Sequence, residues 1–234
     1  MALVLVGLVL FSTTLPAACR ARAVVGREVG VSGLYAPGVS ALAVLCAEAP
    51  WVAACASVSC GIVYPLVAGA PTPATSNPAA ASGFYAFWGA SVLFALCANT
   101  LALVLAYASP TLHLAQTLGY LVQAVFILFG GLLVPAPAVP GGWAWLLAAS
   151  PLSHAAQAVW TSFFFCNSTQ AGSGCRTFFQ HPVPSPIVEW DFVAGWLGLQ
   201  GKGVREELCT LVIFLAVYSA VAVGAAQTFS FIQR

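Results

Sequence analysis

The chain has 234 residues, of which 61% are hydrophobic and 6% are charged, and its formal net charge is +1. A soluble domain carries about 25% charged residues, so this composition excludes an ordinary soluble fold and predicts an integral membrane protein. No Asp, Glu, Lys or Arg occurs from Ala49 to Cys175, whereas a water-facing surface of that length needs charge. The small net charge does not favour nucleic acid as a partner.

The first apolar stretch, Ala2 to Ala18, predicts a membrane span. A cleaved signal peptide is the alternative, because the stretch lies at the N-terminus. Arg20, Arg22 and Arg27 follow the apolar residues, which is typical of a span that ends in the cytoplasm. The next stretch, Val24 to Ser40, is interrupted by glycines and a proline, and it predicts a helix lying on the cytoplasmic surface.

Three more apolar stretches predict spans, at Ala41 to Val67, Gly83 to Ala108 and Tyr120 to Val134. Glu48 lies just inside the start of the first of them. A carboxylate costs about 2.5–3.5 kcal/mol at the bilayer centre and much less near the headgroups. Two interpretations of Glu48 therefore stand: a local partner near the interface, or a direct role in coupling or transport.

The fourth apolar stretch ends at a run of prolines and at Gly141-Gly142, followed by Trp143 and Trp145. Proline stops a helix, and tryptophan is enriched at the water–lipid interface. The next apolar run is broken by Ser150-Pro151, so it predicts a re-entrant or surface-lying helical pair and not a crossing. A hydrolase using Ser153 and His154 is disfavoured, because adjacent residues on a helix do not face each other and no placed carboxylate is evident.

Asn167-Ser168-Thr169 is an N-glycosylation sequon. With the arginines cytoplasmic, the alternation of spans puts Asn167 outside, where glycosylation occurs. On that oxidising side a Cys166–Cys175 disulfide is plausible, since two glycines allow the short loop between them to close. No cysteine spacing indicates a metal site, and no GxxxxGK[ST] phosphate loop occurs in the chain.

The polar region from Gln180 to Glu207 carries charges of both signs at scattered spacing, which predicts a solvated loop and no catalytic site. The last apolar stretch, Leu208 to Phe231, predicts a span that returns to the cytoplasm. The fold class predicted from these patterns is an all-α, multi-pass membrane protein with about five transmembrane helices, a cytoplasmic connecting helix and an extracellular re-entrant helical pair.

Eight short motifs follow one another along nearly the whole chain. They are Arg27-Glu28, Gly33-Leu34-Tyr35, Glu48-Ala49-Pro50, Ile62-Val63-Tyr64-Pro65, Gly131-Leu132-Leu133-Val134-Pro135, Pro140, Trp143-Ala144-Trp145 and Ser150-Pro151. In this order of motifs the chain resembles the transmembrane domain of ABC transporters of the G subfamily, pleiotropic drug resistance type.

The resemblance implies that residues 1–234 are a partial ABC-2 type transmembrane domain, with residues 136–207 as its outer loop region. The family's first helix and its ATPase domain would be absent from the chain, so ATP and Mg would bind a nucleotide-binding domain in cis or in trans. A second transmembrane domain and membrane lipids would be the other partners, most simply in the plasma membrane. In place of the acid usual in the family before the connecting helix, this chain has Ala21-Arg22.

The resemblance also implies site residues. The substrate pathway would be lined by Ala124, Phe126 and Ile127, and Leu132 and Leu133 would form a plug below the outer vestibule. Coupling to the motor would involve Arg27, Glu28 and Glu48. The function implied is the membrane part of an ATP-driven exporter of lipid-like or amphipathic molecules; the alternative is a truncated scaffold or regulatory partner that does not transport.

Overall fold

The structure is a computed structural model that describes residues 2–32, 36–68, 78–131, 133–164, 195 and 204–228. Within these residues the chain folds into seven α-helices and two short 3₁₀ turns. The helices are α1 (Ala2–Ser32), α2 (Pro37–Ala68), α3 (Pro78–Ala108), α4 (Leu112–Leu128), α5 (Ala144–Ala149), α6 (Pro151–Phe164) and α7 (Val204–Thr228). The 3₁₀ turns are Ala136–Ala138 and Gly141–Trp143.

Three helices in the described part of the chain are long and apolar enough to cross a membrane, by length and composition: Pro37–Leu66 in α2, Phe84–Ala108 in α3 and Val204–Thr228 in α7. Helix α4 is apolar but shorter, with 17 residues. Such a helix is about 26 Å long, near the lower limit for a hydrocarbon core of about 30 Å. The all-α membrane class is therefore confirmed, while the total of five spans stays a prediction.

Helix α1 corrects the predicted division between a first span and a separate surface helix. It continues from Ala2 to Ser32, and Pro37 to Ser40 form the first turn of α2. The prediction of one surface helix over Val24–Ser40 was therefore wrong. A glycine inside a helix costs only about 1 kcal/mol relative to alanine, and extending a helix avoids a new nucleation step.

Helix α3 lies at the centre of the bundle, because α1, α2, α4, α6 and α7 all pack against it. In its most apolar stretch 67% of the residues are buried, compared with 17% in the corresponding stretches of α2 and α7. Small residues such as Ala95 and Ala102, both fully buried, allow the neighbouring helices to approach closely. The hydroxyl groups of Ser91 and Thr100 donate to carbonyls of their own helix, at 2.8 and 2.7 Å.

Two glycines hold other helices close to aromatic rings. A Cβ atom placed on Gly7 would lie 2.7 Å from the ring of Phe94, which joins α1 to α3. A Cβ atom on Gly119 would overlap the ring of Phe11, which joins α4 to α1. Phe11 is fully buried, so α1 is packed into the bundle along its apolar part.

Helix α4 begins and ends earlier than the predicted span Tyr120–Val134. Thr111 caps its N-terminus, accepting a hydrogen bond from the backbone N–H of Leu114 at 3.4 Å. The helix ends at Leu128, and Gly131 has a φ of 77°, a left-handed conformation that favours glycine. The predicted end was wrong because the chain leaves the helix at the glycines and not at the prolines that follow.

The predicted helical pair is present as α5, with 6 residues, and α6, with 14 residues. Pro151 is the first residue of α6, where its missing N–H costs nothing. A 14-residue helix is about 21 Å long, too short for a full crossing. Helix α6 packs on α3 and α7, and Leu152 and Ala155 are buried there together with Phe94 and Leu211.

Helix α7 starts one turn before the predicted span Leu208–Phe231 and includes Glu206 and Glu207 in its first turn. Glu206 is exposed, but Glu207 is only 1% exposed. The prediction that Glu207 belongs to a solvated loop was therefore wrong. Acidic residues suit the first turn of a helix, where the helix dipole favours negative charge.

Candidate functional site

Helix α4 presents one apolar face outward. The exposed residues recur at helical spacing, so they lie on one side of the helix. They are Leu114, Leu118, Leu121, Ala124 and Leu128, and we call this set the α4 face. The face has no partner within the described part of the chain that would bury it. It is a surface that lipid or another protein chain can cover.

The residues predicted to line a pathway do not all lie on the α4 face. Ala124 belongs to it. Phe126 and Ile127 are half-buried and pack against the cluster that contains Leu152 and Leu211. The structure therefore places Phe126 and Ile127 between α4 and the helices behind it.

The predicted plug lies just after α4. Leu133 is 57% exposed, and Leu132 is outside the described residues. A Cβ atom on Gly130 would lie 2.8 Å from the side chain of Leu152 and 2.8 Å from the carbonyl of Phe126. Gly130 thus allows α6 to approach the end of α4.

Aromatic rings flank the same turn. The rings of Phe129 and Trp143 are stacked, with centroids 6.1 Å apart and planes 8° apart. Trp143 and Trp145 are exposed, as expected for side chains at a water–lipid interface. The stack ties the end of α4 to the 3₁₀ turn that leads into α5.

A buried amide connects α1, α2 and α3. Thr14 Oγ1 donates to Asn99 Oδ1 at 2.7 Å, and Asn99 Nδ2 donates to Glu48 Oε2 at 2.9 Å. Asn99 is 2% exposed and Glu48 is partly exposed. We call these three residues the amide bridge. Glu48 thus has a hydrogen-bond partner on a neighbouring helix, which bears on the interpretation of Glu48 as a locally partnered residue. Sequence reasoning did not identify Asn99 or Thr14.

Arg22 binds backbone carbonyls at and just after the C-terminal end of α3. Its Nη1 donates to the carbonyls of Ala106 and Ser109 at 2.6 and 2.5 Å, and Nη2 donates to the carbonyl of Pro110 at 3.2 Å. The last carbonyls of a helix have no partner inside the helix, and a cation there also opposes the helix dipole. Arg22 therefore fixes α1 to the turn between α3 and α4.

A second buried polar contact joins α6 to α7. His154 Nδ1 lies 2.6 Å from Glu207 Oε2, and His154 Nε2 lies 3.1 Å from the carbonyl oxygen of Ala148. Among the described residues, Glu207 Oε1 has no hydrogen-bond partner. The ring of His154 also contacts that of Phe214, with centroids 5.7 Å apart. We call His154 and Glu207 the histidine–glutamate pair.

The carboxylate of this pair was missed because it is 53 residues from the histidine in sequence. It does not create a hydrolase with Ser153. Both ring nitrogens of His154 are already engaged, and Ser153 Oγ accepts from Gln157 Nε2 at 3.2 Å. A general base needs a free nitrogen directed at the nucleophile.

Several predicted sites cannot be placed. Arg27 and Glu28 are part of α1, but the structure does not describe their side chains. Asn167, Cys166 and Cys175 are outside them altogether. Within the described part of the chain, no three His, Cys, Asp or Glu side chains come together in a group that could hold a metal ion.

Comparison with known proteins gives one family match. The family described as ABC-2 type transporter matches residues 1–164. ABC transporter G family member 33 of Arabidopsis thaliana is 29% identical over 144 residues, which are 58% of this chain and 9% of the relative. Member 37 from the same plant is 30% identical over 124 residues, 52% of this chain and 8% of the relative.

A relative from rice, ABC transporter G family member 41 of Oryza sativa subsp. japonica, is 29% identical over 143 residues, 61% of this chain and 9% of the relative. The chain thus spans under a tenth of the length of these curated relatives. The matching family is a membrane domain, which itself carries no ATPase domain.

Proposed function

Because this chain belongs to the ABC-2 type transporter family and is a distant homologue of plant G-subfamily transporters, we propose that it forms the membrane pathway of an ATP-driven exporter. The cargo is lipid-like or amphipathic, and ATP and Mg bind a nucleotide-binding domain in cis or in trans. ABC-2 membrane domains work with such domains. The protein is an integral, multi-pass membrane protein, and we place it in the plasma membrane.

The proposed topology has five crossings, by α1, α2, α3, α4 and α7. The charge-free stretch from Ala2 to Cys19 supplies the first crossing, and Arg20 and Arg22 then mark the cytoplasmic side. Helices α5 and α6 lie on the outer side without crossing. This topology puts Asn167 and the proposed Cys166–Cys175 bridge outside.

The observation that carries the proposal is the α4 face. An apolar helix in the family's membrane domain, with one side uncovered by its own chain, is suited to line a path between two such domains. A second transmembrane domain would face it across the pathway. Affinity for an amphipathic cargo would then come mainly from buried apolar area, at about 25 cal/mol per Å².

Transport would proceed by alternating access. The motor would act on the inner part of α1, where Arg27 and Glu28 lie, and Arg22 would pass that motion to the turn before α4. The amide bridge would keep α1, α2 and α3 in register during the movement. Leu132 and Leu133 would separate the cavity from the outer vestibule.

Co-reconstitution in liposomes tests this proposal. The chain is combined with a candidate nucleotide-binding domain, and ATP-driven export of an amphipathic dye is measured. The double variant Leu132→Ala/Leu133→Ala should change the export rate or the ATP used per dye molecule, at unchanged expression and thermal stability. The matched control is Val212→Ala/Ile213→Ala on α7, where both side chains are exposed, at 51% and 62%, compared with 57% for Leu133.

If the leucine variant and its control export dye at the same rate, Leu132 and Leu133 do not act as a plug. No ATP-dependent export with any motor, from a chain that still binds a full transporter, would establish the scaffold function instead.

A further inference from the structure

The proton count of the histidine–glutamate pair follows from its geometry. A carbonyl oxygen only accepts hydrogen bonds, so His154 Nε2, which lies 3.1 Å from the carbonyl of Ala148, carries a proton. If the imidazole is neutral, Nδ1 then has a lone pair and no proton. With an ionised Glu207 oxygen 2.6 Å away, two hydrogen-bond acceptors would then be in contact, and they would repel each other.

The contact is attractive only when one more proton lies between the two groups. Either the imidazole is cationic and Nδ1–H donates to the carboxylate, or the carboxylic acid donates O–H to a neutral Nδ1. Both states have the same number of protons and no net charge. We propose that His154 and Glu207 together form a proton-binding site that holds α6 against α7.

Burial makes this site selective for the protonated state. Glu207 is 1% exposed and His154 is 8% exposed. A carboxylate this deeply buried is costly unless a donor neutralises it. Among the described residues no other donor reaches it, because His154 Nδ1 is the single partner of Oε2 and Oε1 has none.

The surrounding charges do not replace the shared proton. The Cys97 thiol on α3 donates to the carbonyl of Leu211 at 3.5 Å, and the ring of Tyr218 contacts that of Phe214, with centroids 5.9 Å apart. Arg205 and Glu206 are exposed. The remaining titratable side chains on the described helices that pack against α6 or α7 are Tyr85 and Tyr107 on α3, His113 and Tyr120 on α4, Cys46, Glu48, Cys55, Cys60 and Tyr64 on α2, and Cys209 on α7.

The sign of the pH dependence follows from linkage. In an unfolded chain above about pH 6.5, His154 is mostly neutral and Glu207 is ionised, so the two groups hold no shared proton. The folded pair holds one. Stability therefore falls as pH rises above that value, and while the folded pair keeps its proton the unfolding equilibrium constant increases by up to about tenfold per pH unit. Between about pH 4.5 and 6.5 the unfolded chain also holds one proton, and this contribution is flat.

Glu207→Gln tests the proposal without removing the contact. The Gln amide can donate to a neutral Nδ1, so the hydrogen bond remains while the carboxyl that shares the proton is lost. Glu206→Gln is the matched control, because it makes the same change on the adjacent, exposed residue of α7. Unfolding of the full chain in mixed micelles is followed by tryptophan fluorescence from about pH 5 to 8.5, a range that spans the ordinary histidine titration.

Wild type and Glu206→Gln should both lose stability as pH rises above about 6.5, by up to about tenfold in the unfolding equilibrium constant per pH unit, and Glu207→Gln should lose that dependence. Equal slopes in wild type and Glu207→Gln would overturn the proposal.

A second measurement covers the case in which Glu207→Gln does not fold. The chain has 3 histidines, so His113→Gln/His181→Gln leaves His154 as the only one, and ¹⁵N labelling then reports its ring nitrogens. At pH 7.5, about one unit above the ordinary histidine value, Nδ1 should show a bound or hydrogen-bonded proton. An Nδ1 signal typical of a free lone pair would exclude the shared proton.

Discussion

The amide bridge and the histidine–glutamate pair connect helices in different ways. Asn99 has a fixed donor and a fixed acceptor, so it joins Thr14 to Glu48. Glu48 is the single ionisable residue of these three. His154 and Glu207 are both ionisable and both buried, so their contact depends on a proton. The difference shows that a neutral amide supplies both a donor and an acceptor to its neighbours at any pH, whereas two titratable groups connect two helices only when they share a proton.

Removing the histidine should have the largest effect. His154→Leu leaves the Glu207 carboxyl buried without a donor, which should lower the free energy of unfolding by about 3–5 kcal/mol. The double variant His154→Leu/Glu207→Leu should recover most of this loss, because apolar residues of similar volume replace a buried pair at little cost. Denaturant unfolding in mixed micelles measures both. A double variant less stable than the single one would contradict the idea that the orphaned carboxyl causes the loss.

Removing the amide should have a smaller effect. Asn99→Leu deletes both hydrogen bonds of the amide bridge, but the Glu48 left without them is only partly buried. We expect a loss of about 1–2 kcal/mol in the same unfolding assay. Thr100→Val is the control, since that hydroxyl bonds only to its own helix, and should cost about 0.5 kcal/mol or less. If the two variants lose equal stability, the amide does not connect the helices energetically.

The contact of Arg22 offers a third case, in which a charged group donates to backbone carbonyls. Arg22→Lys keeps the charge but loses the planar fork that reaches Ala106, Ser109 and Pro110. The expected loss is about 1 kcal/mol of unfolding free energy. Arg20→Lys, at an exposed residue whose side chain reaches only Pro16 one turn back, should change nothing measurable.

The smallest expected effect is at the end of the amide bridge. Thr14→Val removes one hydrogen bond and keeps the side-chain shape, and a single polar contact between membrane helices contributes about 0.6 kcal/mol. Thr13→Val is matched to it, because the Thr13 hydroxyl is exposed and bonds only to its own helix. If Thr14→Val and Thr13→Val lower the free energy of unfolding equally, only the contact between Asn99 and Glu48 contributes to the amide bridge.

Sequence patterns located the helices better than the contacts between them. The absence of charge predicted a membrane protein, and the break at Ser150-Pro151 predicted two short helices. The same patterns divided α1 wrongly, because glycines suggest a break, whereas extending an existing helix through a glycine costs only about 1 kcal/mol. They also extended α4 past Gly131, where the backbone turns left-handed.

The polar contacts were hardest to predict because each joins residues far apart in the chain. Asn99 carried a usable signal, since an amide inside an apolar span is costly without a partner. Glu207 carried one too: it lies four residues before the buried Leu211, at the spacing of one helix face. Nothing in the local sequence around Arg22 indicated that it would reach the end of α3.

The continuity of α1 puts contacts that are far apart onto one element. A single helix from Ala2 to Ser32 is about 46 Å long, with Pro16 inside it. Gly7, Thr14 and Arg22 each contact α3 or the turn that follows it. These three attachment levels are about 10–12 Å apart along the helix. A displacement of α1 along its own axis would therefore have to disturb the contacts at all three levels together.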